Sequence, residues 1–104
     1  MAFPISASLL DALVLAIVSK EDTYGYKITQ EIREAIDMSE STLYPVLRRL
    51  LKDECLESYD KEYMGRNRRY YRVTTAGAAQ LSLYREEWKS HKQKVDRIMG
   101  GENI

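Results

Sequence analysis

Two stretches hold the side chains with chemistry to offer. In Ser41-Thr42-Leu43-Tyr44-Pro45-Val46-Leu47-Arg48-Arg49-Leu50, Leu43, Val46, Leu47, Leu50 and Leu51 follow the i, i+3, i+4, i+7, i+8 spacing of a helical core face. Ser41, Tyr44, Arg48 and Lys52 form the opposite stripe. The second stretch, Gly65-Arg66-Asn67-Arg68-Arg69-Tyr70-Tyr71-Arg72-Val73-Thr74, carries four arginines and no acid. Hydroxyls, tyrosines and guanidinium groups are donors to phosphate and to base edges. A helix that fits a major groove, beside a basic ribbon that reaches a neighbouring one, is how a small domain holds duplex DNA.

Catalysis finds no comparable constellation. His91 and Cys55 are the only residues of their types and lie far apart, with no nucleophile beside an evident base, no glycine-rich phosphate loop and no metal-ligand spacing. The expectation is a non-enzyme without a cofactor. A lone cysteine fits a small buried residue in a reducing interior, so the expected location is the cytoplasm. The apolar run Leu9–Val18 is too short to span a bilayer and lacks the charged flank of a signal peptide.

The formal net charge of zero hides segregation along the chain. Acids outnumber bases from Met1 to Glu62, whereas from Tyr63 to Arg97 the arginines and lysines face only Glu86, Glu87 and Asp96. For a polyanion a focused patch matters more than the mean. The acidic remainder should make binding steeply salt-sensitive.

The elements that must position these groups follow from periodicity. Helices are expected over about Ile5–Val18, Tyr24–Ile36, and from Ser39 or Asp37 to about Glu54. Thr23 or Asp22 is the expected cap of the second helix, whose face is Tyr24, Ile28, Ile32, Ala35 and Ile36. Gly25 in its first turn permits close approach of a phosphate to free N–H groups, with Lys27 either assisting or simply solvated. Pro45 needs a tightened or kinked first turn in the third helix. Strands Leu56–Lys61 and Arg68–Val73 frame a tip over Glu62–Asn67, with Tyr71 and Val73 inward and Arg68, Tyr70 and Arg72 outward.

Thr74 or Thr75 caps a final helix to about Met99. On it Gly77, Leu81, Tyr84, Trp88, His91, Val95 and Ile98 are spaced 4, 3, 4, 3, 4, 3, a heptad seam that points to a second copy of the chain. Folding back on its own core accounts for the first two turns only. Ser8, Ala12, Ala16 and Ser19 make a stripe of small residues on the first helix, either for close approach of a helix or ring, or because alanine favours helices. The fold class is therefore mainly α with a small β-hairpin. A winged helix-turn-helix is expected over residues 1–74, a dimerisation helix over 75–99 and a frayed end over 100–104.

Tyr24-Gly25-Tyr26, Thr42-Leu43-Tyr44-Pro45-Val46-Leu47-Arg48-Arg49-Leu50, and Gly65 to Thr74 running into Thr75-Ala76-Gly77 resemble the PadR family of bacterial transcriptional regulators. The resemblance spans nearly the whole chain and matches the compact branch with a single terminal helix. One departure stands out: where the family usually places glycine after the recognition helix, this chain has Glu54-Cys55-Leu56. The resemblance implies a ligand-responsive repressor of efflux or stress genes. It also implies a tryptophan midway along the dimer helix, a place that Trp88 occupies, and that stacks on flat hydrophobic compounds in some relatives.

Together these readings assign a homodimer on a near-palindromic DNA site. Gly25, Lys27, Ser41, Thr42, Tyr44, Arg48, Arg66, Arg68 and Arg69 are its DNA contacts. Arg48 can meet backbone or guanine, and Arg49 either DNA or an acid within the domain. Leu81, Tyr84, Trp88, His91, Val95 and Ile98 form the dimer interface, and Trp88 with Ala12 and Ala16 borders a slot for a planar aromatic molecule. The rivals are a winged-helix module that binds protein and a drug-sequestering protein without an operator.

Overall fold

A computed structural model describes residues 6–100. The expected helix start at Ile5 and most of the expected frayed end, 101–104, lie outside these residues. The order is α1 (Ala7–Lys20), β1 (Thr23–Tyr24), α2 (Gly25–Ala35), a 3₁₀ turn (Glu40–Thr42), α3 (Leu43–Lys52), β2 (Leu56–Tyr63), β3 (Arg66–Val73) and α4 (Thr75–Ile98). The antiparallel sheet has the strand order β1-β3-β2.

Burial of one face of each helix builds the core. Leu10, Val14, Leu15 and Val18 of α1 meet Ile28 and Ile32 of α2, and Leu43, Val46, Leu47 and Leu50 of α3. Leu56, Tyr71 and Leu81 close it from the hairpin and α4. Each fully buried aliphatic side chain contributes about 1.5–3 kcal/mol relative to an exposed one. Of the expected α2 face, Ile28 and Ile32 are buried and Ile36 is half-buried, but Ala35 is exposed.

The start of α2 differs from expectation. Tyr24 is its N-cap and gives no side-chain cap bond. Thr23 instead pairs with Tyr71 and Tyr24 with Tyr70, which adds β1 to the hairpin edge. Two residues leave no periodic trace, so this strand had no signal in the sequence. Pro45 is the third residue of α3, in the first turn, where no N–H has a partner carbonyl within the α-helix itself, so its missing donor costs no bond of that helix. The chain enters through the 3₁₀ turn, in which Thr42 N–H donates to Ser39 O at 3.2 Å.

α3 ends in a left-handed cap. Cys55 N–H donates to Leu50 O at 2.9 Å and Glu54 N–H to Leu51 O at 3.0 Å, the paired bonds of a Schellman turn. Glu54 has φ 61°, a glycine-favouring conformation, within the Glu54-Cys55-Leu56 stretch where the sequence departs from the pattern it resembles. The turn then docks on α4. Thr74 caps α4 by accepting from Gly77 N–H at 2.9 Å, and its hydroxyl donates to Glu54 O at 2.6 Å. A Cβ at Gly77 would collide with the Cys55 carbonyl and stand 2.9 Å from Val73 Cγ2.

The strands run longer than expected. β2 and β3 pair continuously from Leu56↔Val73 to Tyr63↔Arg66, so the turn is Met64-Gly65 alone, with φ 51° and 81°. Positive φ at both central residues matches the right-handed twist of a two-residue hairpin. Tyr70 lies on the outer face as expected yet is buried, because Tyr24, Tyr59 and Lys61 cover it.

Leu81, expected on the dimer seam, is only 4% exposed and belongs to the core of its own chain, as does the buried Gly77. Its seam assignment is therefore replaced by a core role. Beyond the half-buried Tyr84, α4 runs exposed except for the half-buried Val95.

Glu54→Gly is expected to raise stability by about 0.5–1 kcal/mol, the left-handed penalty less the entropy glycine adds to the unfolded chain. A urea midpoint no higher than wild type would show that the Glu54 backbone carries no such cost.

Candidate nucleic-acid interface

α3 sorts its side chains cleanly, because a ten-residue helix with four buried aliphatics leaves a single polar face. Tyr44, Arg48 and Lys52 are exposed on it, and Ser41 and Thr42 are exposed in the turn ahead. Ser39 Oγ bonds Ser41 Oγ at 3.2 Å and Thr42 Oγ1 at 2.9 Å, which orders the hydroxyls at the tip. The Tyr44 ring crosses the start of α2, 3.6 Å from where a Gly25 Cβ would stand. That is ordinary contact distance, so packing within the chain does not itself require glycine there. Thr29 Oγ1 donates to Gly25 O at 3.0 Å, while the first-turn N–H groups of α2 have no helical acceptor.

A hollow of about 490 Å³ joins these elements. Gly25, Tyr24 and Tyr26 line it from the start of α2, Tyr44 from α3, and Tyr63, Arg68, Arg69 and Tyr71 from the hairpin. Four residues assigned from sequence, Gly25, Tyr44, Arg68 and Arg69, thus meet in one place. Lys27, Ser41, Thr42, Arg48 and Arg66 are exposed outside it. Burial pushes the Tyr71 hydroxyl above its ordinary range, and the Arg69 guanidinium pulls the other way.

The strand parity splits the arginines. Arg69 shares the inner face with Tyr71, whereas Arg66, Arg68 and Arg72 share the outer face with Tyr59, Tyr63 and Tyr70. Arg68 is clamped between aromatic rings, 4.1 Å from the Tyr24 centroid and 4.4 Å from that of Tyr63. Stacking on π faces holds a guanidinium without neutralising it. Tyr24 and Tyr63 were missed in the sequence reading. The signal was there in β2, where Tyr59 and Tyr63 keep the parity of an aromatic outer face.

Other arginines serve the fold. Arg72 donates to Glu57 at 2.8 Å, stands 3.9 Å from Asp22 and lies 4.9 Å over the Tyr59 ring. The hydrogen bond to Glu57 raises its already high pKa. Tyr59 donates to Asp22 at 2.5 Å, and that bond pushes its hydroxyl pKa up. Of the two roles left open for Arg49, the structure realises the internal ion pair, with buried Asp11 of α1. Tyr84 of α4 donates to the other Asp11 oxygen at 3.4 Å. Among the described residues, Arg48, Arg66, Arg68 and Arg69 are in no ion pair, so the α3 and hairpin surface keeps four unpaired guanidinium groups.

A second, open groove of about 840 Å³ runs between α1 and the exposed half of α4. Trp88, His91 and Val95 line it opposite Ser8, Leu9 and Ala12. Trp88 is 47% exposed, and its ring is 6.2 Å from that of His91. Ala16, expected on the same slot, packs instead against the core and does not line the groove. Tyr84 borders the groove but is spoken for by Asp11, and burial, its largest influence, raises its pKa.

Residues 14–83 match the transcriptional regulator PadR-like family. The chain belongs to that family. It is 44% identical to smu.1704 from Streptococcus mutans UA159, whose crystal structure superposes with a TM-score of 0.89 over 97% of this chain and 95% of that one. A PadR family transcription regulator from hypervirulent Clostridium difficile R20291 is 31% identical, with a TM-score of 0.81 over 88% of this chain and 98% of that one. Transcriptional regulator Rv3488 of Mycobacterium tuberculosis is 34% identical over 91 residues, which are 86% of this chain and 82% of the relative. PadR-like neighbours share the winged-helix fold, and the arrangement here is one: α2 and α3 form the helix pair, and β2 and β3 the wing. No helix of the described residues is long and apolar enough to cross a membrane.

Arg49→Ala is expected to lower unfolding stability by about 1 kcal/mol, since it strands buried Asp11 while solvent already weakens the exposed guanidinium's bond. Arg48→Ala should leave stability unchanged. Equal urea midpoints for both variants would remove the structural role given to Arg49.

Proposed function

We propose that two copies of the chain bind a near-palindromic DNA duplex and that the output is repression of transcription. Each α3 enters a major groove, and the two grooves lie about 34–36 Å apart along one face of the duplex. The single observation that carries the reading is the meeting of Tyr44, Arg68 and Arg69 with the start of α2 in one hollow, beside a helix face without acids. That hollow suits a phosphate oxygen. Free α2 N–H groups and a guanidinium offer charge-assisted bonds to it, and the Tyr44 hydroxyl adds a neutral donor. Ser41 and Thr42 reach base edges or phosphate from the tip of α3. Arg48, farther along, contacts backbone. Arg66 and Arg68 approach the minor groove from the wing, where a narrow groove attracts arginine.

Dimerisation follows from the far half of α4. Trp88, His91, Val95 and Ile98 continue the heptad spacing where the chain has no core left to cover them. Leu81 and Tyr84 support the helix from within the subunit rather than across the interface. The groove at Trp88 and Ala12 favours a further reading, in which a planar aromatic compound stacks on the indole and changes the spacing of the two α3 helices.

In gel shifts on a duplex enriched from a random pool, Tyr44→Ala and Arg66→Ala are each expected to cost about tenfold in affinity without lowering the melting temperature. Wild-type affinity in both variants would refute the interface. Val95→Asp should sediment as a monomer, and a planar dye should quench Trp88 emission in the wild type but not in that variant. A Val95→Asp dimer would sink the seam, and an unquenched wild type the ligand reading.

A further inference from the structure

The wing ends on a residue that fits its position badly on two counts. Met64 has φ 51° at the first of two turn residues, a conformation suited to asparagine, aspartate or glycine. The residue is 86% exposed, more than any other large hydrophobic residue described. Its partner in the turn behaves as expected. Gly65 has φ 81° with nothing within 4 Å of a would-be Cβ, so it is there for its backbone alone. Met64 belongs to no part of the hydrophobic core, so neither cost is offset among the described residues. A strained backbone that carries an exposed apolar side chain calls for a use outside the fold.

The surroundings indicate which use. Tyr63 precedes Met64, Arg66 follows the turn, and Arg68 is clamped by Tyr24 and Tyr63 one step behind. The tip is thus an apolar point whose outer face carries Arg66 and Arg68, while the acid Glu62 lies on the inner face opposite Asn67. A minor groove is about 6 Å wide, too tight for a hairpin backbone but open to one unbranched side chain. Methionine is long, thin and adaptable, and apolar side chains of this kind part base steps from the minor-groove side.

We propose that Met64 is a wedge that enters the minor groove and partly unstacks a flexible pyrimidine–purine step, so that the wing selects sequence by deformability. The proposal rests on the duplex-binding reading above. It makes Met64 a specificity-determining residue, whereas Arg66 supplies charge.

The test uses the full chain and a duplex enriched by it from a random pool, with 2-aminopurine scanned through the flanks of each half-site. Wild type should brighten one step per half-site. Met64→Asn should fold with a raised melting temperature, bind about tenfold more weakly and leave that step dark at saturation. Arg66→Ala should lose affinity yet keep the signal. Replacing the bright step by a stiff A-tract should weaken wild type and leave Met64→Asn unaffected. Undiminished affinity and fluorescence in Met64→Asn, or no bright step with wild type, overturns the wedge while duplex binding stands. A wild-type chain that enriches no duplex overturns both.

Discussion

The contact of Gly77 with the Cys55 carbonyl is the constraint on which the rest of the fold hangs. At that point the C-terminal cap of α3, the end of β3 and the first turn of α4 share one small volume. The absence of a single Cβ lets α4 close on the Schellman turn. Thr74 ties the same turn from its own side, through Glu54 O. Because α3, the wing and α4 all leave this junction, their relative directions are set together. A shift in any one is felt by the others through packed backbone rather than through flexible side chains.

From this frame a chain of zero net charge keeps Arg48, Arg66, Arg68 and Arg69 out of ion pairs on α3 and the hairpin. Arg33 pairs with Glu40 at the surface, and two more arginines are consumed by structure. Arg49 neutralises Asp11 beneath α3, and Arg72 is shared by Glu57 and Asp22 at the base of the wing. The aromatic residues supply the complementary device. Tyr24 and Tyr63 hold Arg68 by its π faces, so its direction is fixed while its charge stays available. Order without neutralisation is what a salt bridge cannot provide.

α4 divides at Tyr84. Ahead of it Gly77 and Leu81 belong to the subunit core, and beyond it Trp88, His91 and Val95 face an open groove against α1. Asp11 stands at the division, held by Arg49 from α3 and by Tyr84 from α4. Asp11 is the one acid of α1. Its two partners lie 38 and 73 residues away along the chain.

Residue order alone determined the helices, the hairpin, the core stripe of α3 and the family, because each rests on local periodicity and on side-chain types at fixed spacing. It also indicated where cation is concentrated. Tertiary structure decided everything that depends on which surfaces are already taken. Leu81 satisfies heptad spacing and core burial equally well along the chain, and only the docking of α4 on α1 and the hairpin assigns it to the core. Arg49 and Arg72 look as free as Arg48 and Arg68 until their acids arrive from distant segments. β1 exists only because β3 offers an edge to Thr23 and Tyr24. Periodicity is a property of neighbours in the chain, whereas ion pairing, edge pairing and burial are properties of neighbours in space, and those become defined only when the chain closes on itself.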